Sequence, residues 1–289
     1  MDKKVSLFKN TGILYIVPTP IGNLSDITYR ALETLKEVNL IACENIQHTN
    51  ILLKHFNIKN TLISFSKDNE VQKTDHLINI LKKGKYIALV SNAGTPVIND
   101  PGYLLIKKCH LFNIKIIPLP GPCAAITALS ASGISTHRFC YEGFLPSKKK
   151  LRRDLLCSLK KEKRTIICYE SKHRIIETIK DIINEIGENR HIVIAREITK
   201  KWEIIHGNKA SLMLSWIKSD VNRHKKGENV IIIDGYKELK SINPSDKIIN
   251  TFTILKKFLS LKQSVFITSK IHKINKNNLY QYAIKNKEK

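Results

Sequence analysis

Through its first half the chain alternates short β-branched apolar runs with stretches of helical period, and this alternation restricts the fold more than any other feature. The runs are Ile13 to Val17, Leu40 to Cys43, Leu62 to Phe65, Tyr86 to Ser91 and Lys115 to Leu119. Amphipathic segments near Tyr29 to Val38, Thr49 to His55, Val71 to Lys83 and Gly102 to Phe112 separate them. A strand that is apolar on successive residues must be covered on both faces, and a helix between two such strands supplies that cover. The pattern therefore predicts βαβ units and a parallel sheet.

A basic turn-rich stretch, Gly143-Phe144-Leu145-Pro146-Ser147-Lys148-Lys149-Lys150, interrupts the alternation. Around and beyond it the chain predicts strands at Phe139 to Glu142, Thr165 to Tyr169, His191 to Glu197, Glu203 to His206 and Asn229 to Asp234. Helices are predicted at Leu151 to Leu159, His173 to Ile186 and around Leu212 to Lys218. The strands near His191 and Glu203 leave no room for a helix between them, so they pair antiparallel within a mixed sheet. From Tyr236 the chain carries 12 Lys against Glu238, Asp246 and Glu288, with helices drawn at Asp246 to Leu259, Leu261 to Lys270 and Asn277 to Ile284. In the first of these stretches Leu255, Phe258 and Leu259 are the residues through which the extension packs on the second domain if it is not an RNA-docking module. The expected organisation is an α/β domain over 1–136, a second α/β domain over 137–236 that completes a cleft, and a basic helical extension over 237–289. At roughly 100 to 200 residues per domain the length allows this division.

The charge is the next constraint. Forty-nine Lys and Arg against 25 Asp and Glu give a formal +24, which suits a polyanionic partner because each cation placed on a phosphate releases condensed counterions. Forty of those cations are Lys, and an AT-rich coding sequence also produces that excess without selection for binding; both readings stay open. Cys43, Cys109, Cys123, Cys140, Cys157 and Cys168 are scattered without a C-x-x-C. They read as reduced thiols, not metal ligands or bridges, and no metal site is expected. No signal peptide or membrane span is visible, so a cytoplasmic protein is expected.

Three loops follow predicted strands: Val17-Pro18-Thr19-Pro20-Ile21-Gly22-Asn23-Leu24-Ser25-Asp26, Ser91-Asn92-Ala93-Gly94-Thr95-Pro96, and Pro118-Leu119-Pro120-Gly121-Pro122-Cys123-Ala124-Ala125. Their prolines restrict the backbone, and their glycines and alanines leave room for a ligand at the carboxyl ends of the strands. Ser25 and Asp26 suit the cap of the next helix, and Pro122 suits a first helical turn. Neither G-x-G-x-x-G nor G-x-x-x-x-G-K occurs, which argues against a nicotinamide dinucleotide site and a P-loop.

Seven ordered segments, VPTPIGNLSDIT, SNAGTPVINDPGY, PLPGPCAAITALSASG, FCYEGFLP, CYESKHR, AREITKKWE and KGENVIIIDG, closely resemble the tetrapyrrole methylase superfamily, and within it the branch that methylates 16S ribosomal RNA. The resemblance implies two α/β domains with S-adenosylmethionine between them, in a homodimer. By position the cofactor meets Thr19, Pro20, Gly22, Asn92, Ala93, Gly94, Thr95, Pro96, Gly121, Ala131 and Ser132, with Tyr169 and Ala195 from the second domain. The implied reaction is 2'-O-methylation of a cytidine ribose in the decoding region, presented within the assembled small subunit. Two departures stand out. Asn45 and Gln47 replace an Asp and an Arg of the family pattern, and Asn92 replaces an Asp; a neutral amide loses attraction for a cation, so restoring Asp at 45 or 92 is expected to tighten cofactor binding.

Methyl transfer from a sulfonium needs an acceptor oxygen held near attack and a base for its proton. Glu170, His173, Glu197 and Lys200 are the candidates, with Glu170, Glu197 and Lys200 taken as catalytic. Glu170 also suits a helix cap, and Glu197 also suits pairing with Arg196 or Lys200. Carbon methylation of a tetrapyrrole on the same fold is an alternative, and so is a non-catalytic factor for ribosomal RNA binding or assembly.

Overall fold

A computed structural model describes residues 11–219, 227–237 and 244–285. The chain divides into two compact units, Met1–Tyr236 and Lys237–Lys289.

The first unit holds two five-stranded sheets. Strands β1 (Ile13–Ile16), β2 (Leu40–Cys43), β3 (Leu62–Ser64), β4 (Ile87–Val90) and β5 (Lys115–Pro118) pair in the order β3-β2-β4-β1-β5, all parallel. Alternation along the strands sorts side chains onto two covered faces. On one, Leu14, Ile16, Leu40, Ala42, Ile87 and Leu89 pack against Leu77 and Leu81 of α3 (Glu70–Lys82) and Leu105 and Cys109 of α4 (Tyr103–Leu111). On the other, Val17, Ile41, Cys43, Ala88 and Val90 meet Ala31 and Leu35 of α1 (Tyr29–Glu37) and Leu53 of α2 (Ile46–His55).

The second sheet orders β6 (Phe139–Phe144), β7 (Thr165–Glu170), β10 (Asn229–Ile233), β8 (His191–Arg196) and β9 (Ile204–Lys209) as β6-β7-β10-β8-β9. Only β6 and β7 are parallel; β8 and β9 form the antiparallel pair expected from their spacing. Helices α6 (Lys149–Ser158), α7 (Ile175–Glu185) and α8 (Ala210–Ser219) cover one face through Leu156, Ile179, Ile182 and Met213. Beneath them the buried Arg152 and Asp181 side chains pair at 2.7 Å, tying α6 to α7. Helix α5 (Ala124–Ala131), which leaves the first sheet after β5, lays Ala125, Ala128 and Leu129 on the opposite face, against Ile167, Val193, Ala195 and Ile232. Its small side chains let the helix come close to that sheet.

Two caps differ from expectation. The Thr28 hydroxyl, not Ser25 or Asp26, accepts the Ala31 N–H at the start of α1; Ser25 and Asp26 lie in a preceding 3-10 turn whose cap is Asn23. Cys123 is the residue ahead of α5, so Pro122 lies just outside the helix. The second unit contains α9 (Asp246–Lys256), α10 (Leu261–Ile271) and α11 (Lys276–Lys285) around Phe252, Val265, Leu279 and Ala283. A reciprocal Ser260–Gln263 capping box starts α10. Among the described residues no helix is long and apolar enough to cross a membrane, and no cluster of metal-ligating side chains occurs.

Candidate functional site

The three Pro/Gly loops leave adjacent strands β4, β1 and β5 at their carboxyl ends, so the sheet order itself brings them together. Thr19 and Gly94 exchange two backbone hydrogen bonds of 2.9 Å, locking the first loop to the second. The Thr95 hydroxyl donates to the Pro122 carbonyl at 2.9 Å, locking the second to the third. Gly121 lies so close to Pro18 that a Cβ there would come within 2.6 Å of the proline ring.

Facing these loops is the β8–β9 connection, reached through Gly22, whose missing Cβ leaves space for the Lys200 and Thr199 side chains. Between them lies an inner cavity of about 270 Å³, and an outer cavity of about 590 Å³ adjoins it, sharing Ile21, Asn92, Ala93, Phe144, Lys200 and Glu228. The backbone around them is strained: Val97 (φ 76°), Asn99 (φ 70°), Glu197 (φ 50°) and Thr199 (φ 68°) all occupy the left-handed region. Such residues cost on the order of 1–3 kcal/mol each and gather at ligand sites.

The inner cavity is acidic. Glu44, Asp100, Glu197 and Glu228 line it, and Lys200 is the basic residue among the described lining. Burial pushes the Asp100 carboxyl up to about 6, and the nearby Glu44 charge adds to the shift. Glu44 accepts the Asn92 N–H at 3.3 Å, and Lys200 pairs with Glu197 at 2.9 Å. Two amide oxygens in the lining, Asn92 Oδ1 and Asn229 Oδ1, are buried without a hydrogen-bond partner among the described residues. Buried acceptors of this kind call for a donor. Tyr169 is built into the wall: its hydroxyl accepts the Ala125 N–H at 3.1 Å, and the rings of Tyr141 and Phe144 meet it edge-on.

Of the residues singled out from the sequence, Asn92, Ala93, Gly94, Thr95, Tyr169, Glu197 and Lys200 line the inner cavity; Pro20, Gly22, His173 and again Lys200 line the outer one. Thr19, Pro96 and Gly121 lie outside both linings, and Thr19 and Gly121 act by pinning the loops. Ala195 is buried between β8 and α5. Ala131 ends α5 and Ser132 caps it, both outside the two linings, the Ser132 hydroxyl donating to the Leu129 carbonyl and accepting the Ile134 N–H. Glu170 is fully buried, and its carboxylate accepts from the Ser171 N–H, the Thr178 hydroxyl and the Arg174 guanidinium. With its acceptors engaged and no place in either lining, Glu170 holds the start of α7 and is not available as a base.

Sequence reasoning misses Glu44, Asp100, Phe144, Glu228 and Asn229 as site residues, although the last four fall inside the seven family-like segments. Asn45 and Gln47 lie in neither lining; Asn45 accepts the His48 N–H and caps α2.

A parallel sheet and a mixed sheet that enclose an acidic cavity beside three loops at strand carboxyl ends define the class of protein. The family model for Tetrapyrrole (Corrin/Porphyrin) Methylases matches residues 13–212, and the chain belongs to that family, which makes it a methyltransferase. It is 77% identical over 279 residues to Ribosomal RNA small subunit methyltransferase I of Buchnera aphidicola subsp. Schizaphis graminum (96% of this chain, 98% of the relative). It is 50% identical over 284 residues to the protein of that name in Escherichia coli O157:H7 (98% and 99%). Uroporphyrin-III-C-methyltransferase from Thermus thermophilus shares the fold, with a TM-score of 0.55 at 16% identity, covering 77% of this chain and 94% of that one.

Proposed function

We propose that this protein transfers a methyl group from S-adenosylmethionine to the 2'-oxygen of a cytidine ribose in the decoding region of 16S ribosomal RNA, acting as a cytoplasmic homodimer on the assembled small subunit. The observation that carries the cofactor half is the inner cavity. Its carboxylates suit a cationic ligand, and its two unpaired amide oxygens suit a ligand rich in N–H donors. The RNA half is supported by the names of relatives that match at 50% identity and above across nearly the whole chain.

When bound, S-adenosylmethionine supplies a methyl group already activated on a sulfonium sulfur. The protein's own work is positioning and proton removal. Glu44, Asp100 and Glu228 attract positive charge, Asn92 and Asn229 accept N–H donors, and Gly94 lets the second loop approach closely. Glu197 lines the inner cavity, and Lys200, which holds its carboxylate at 2.9 Å, lines both. Glu197 accepts the ribose hydroxyl proton in this reading, with Lys200 orienting it.

The test is incubation of the purified chain with methyl-labelled S-adenosylmethionine and small subunits lacking the modification. Label confined to one cytidine of 16S RNA, with its 3' phosphodiester made resistant to alkali, is the expected result. Cofactor binding by calorimetry without label in RNA would reject the methylation of rRNA, and absence of both would favour a non-catalytic RNA-binding factor.

A further inference from the structure

The two cavities meet at a common wall but differ in charge. The inner one sets four carboxylates against Lys200, whereas the outer one sets His48, Lys172, His173 and Lys200 against Glu228. At the junction stands Phe144, which lines both cavities yet is 54% exposed. Three local features put it there. The β6–β7 register shifts between Tyr141 and Gly143, Gly143 adopts φ 68°, and the backbone at Gly143 packs so tightly on the Asn99 side chain that a Cβ would come within 2.8 Å of it. A bulge of this kind re-aims the next side chain. The ring is backed by Tyr169, edge-on at 5.3 Å.

An exposed aromatic ring beside a cavity that carries cations is the arrangement that single-stranded nucleic acid uses: a base stacks on the ring while flanking phosphates meet cations. We propose that the outer cavity receives one nucleotide turned out of the RNA, its base stacked on Phe144 and its adjoining phosphates on Lys172 and His173. The difference in charge favours the cationic cofactor in the inner cavity and the RNA phosphates in the outer one, with the acceptor ribose at the wall the two share, within reach of Glu197. The proposal rests on the reading of the inner cavity as the cofactor site, and it adds that the acceptor must be unstacked from its neighbours to be methylated.

Phe144→Leu, Phe144→Tyr and Lys172→Ala test it in the full chain. Three quantities are read for each: S-adenosylmethionine affinity by calorimetry, kcat/KM on small subunits, and affinity for a short single-stranded RNA carrying a fluorescent cytidine analogue. Stacking on the ring predicts that Phe144→Leu lowers RNA affinity and kcat/KM by about 5- to 150-fold, abolishes the fluorescence change, and alters cofactor affinity by less than either, a change allowed because Phe144 also lines the inner cavity. Phe144→Tyr, which keeps a stacking face, restores both. Lys172→Ala weakens RNA binding and reduces its salt slope by about one. Unchanged RNA affinity and fluorescence in Phe144→Leu would overturn the proposal, as would a loss of cofactor affinity matching the loss of activity. Failure of the wild-type chain to bind S-adenosylmethionine would instead count against the cofactor reading, and the RNA arm would still decide the nucleotide seat.

Discussion

Asp100 is a carboxylate forced among other carboxylates. Burial and the Glu44 and Glu228 charges raise its pKa to about 6, above the ordinary 3.8. The folded chain therefore holds this proton more tightly than the unfolded chain does. Its contribution to stability is greatest below about pH 3.8 and is lost as pH rises through about 6. A cation in the inner cavity needs the ionised form, so S-adenosylmethionine affinity should fall as pH drops from 7 to 5. Asp100→Asn should bind the cofactor more weakly at pH 7 with a flattened pH profile, yet melt at a higher temperature than wild type. Calorimetric titration across pH together with thermal melts checks both signs; a variant whose affinity keeps the wild-type pH dependence would remove Asp100 from the site.

At the scale of the element, α2 shows how a family departure can be structural. Asn45 stands just ahead of the helix and caps it by accepting the His48 N–H, a task that Asp performs equally well. The expectation that Asn45→Asp tightens cofactor binding does not survive that placement. The variant should instead leave cofactor affinity unchanged and stabilise the chain by about 0.3–1 kcal/mol, because the carboxylate faces the positive end of α2. Urea unfolding and calorimetry measure the two effects separately. Asn92 differs: its side-chain oxygen is buried at the inner cavity and unpaired, so the argument for a ligand contact holds there and not at 45. The three loops behave as one element with the strand ends that carry them, since the Gly94 backbone fastens the second loop to the first and the Thr95 hydroxyl fastens it to the Pro122 carbonyl of the third.

For the whole molecule, the boundary at Tyr236 matters. Tyr236 belongs to the first unit, its N–H bonding the Glu162 carbonyl and its ring lying under Arg190 at 5.6 Å. Truncation after Tyr236 should therefore leave the two sheets and cofactor affinity intact. The removed unit has its own small core, and Phe258 is 81% exposed. Lys256, Lys257, Lys262 and Lys270 are exposed on it as well. If these lysines meet phosphates, truncation weakens subunit binding and lowers the slope of log affinity against log salt by roughly 0.7–0.9 for each phosphate that is no longer neutralised. Filter binding over a salt series gives that slope, and an unchanged slope would assign the Lys excess to coding composition.

Local pattern was enough for the elements. The apolar run Leu40 to Cys43 is β2 residue for residue, and the apolar repeat from Val71 to Lys83 falls within one residue of α3, because backbone geometry and side-chain period act over neighbours in the chain. The family-like segments also placed the loops that border the cavities. Which side chains face those cavities was not legible, because that depends on partners far apart in sequence. Glu170 and Glu228 are both acids at the ends of β-strand segments, yet Arg174 and Thr178 claim the first, while the second lies open to both cavities. Asp100 and Phe144 became site residues only when β1 and β4 paired and when the β6 bulge turned the ring outward. Helix α5 likewise follows a strand of the first sheet but packs on the second. Neighbouring residues were thus sufficient for the elements and the family, whereas long-range strand pairing and burial set the charge, depth and lining of the site.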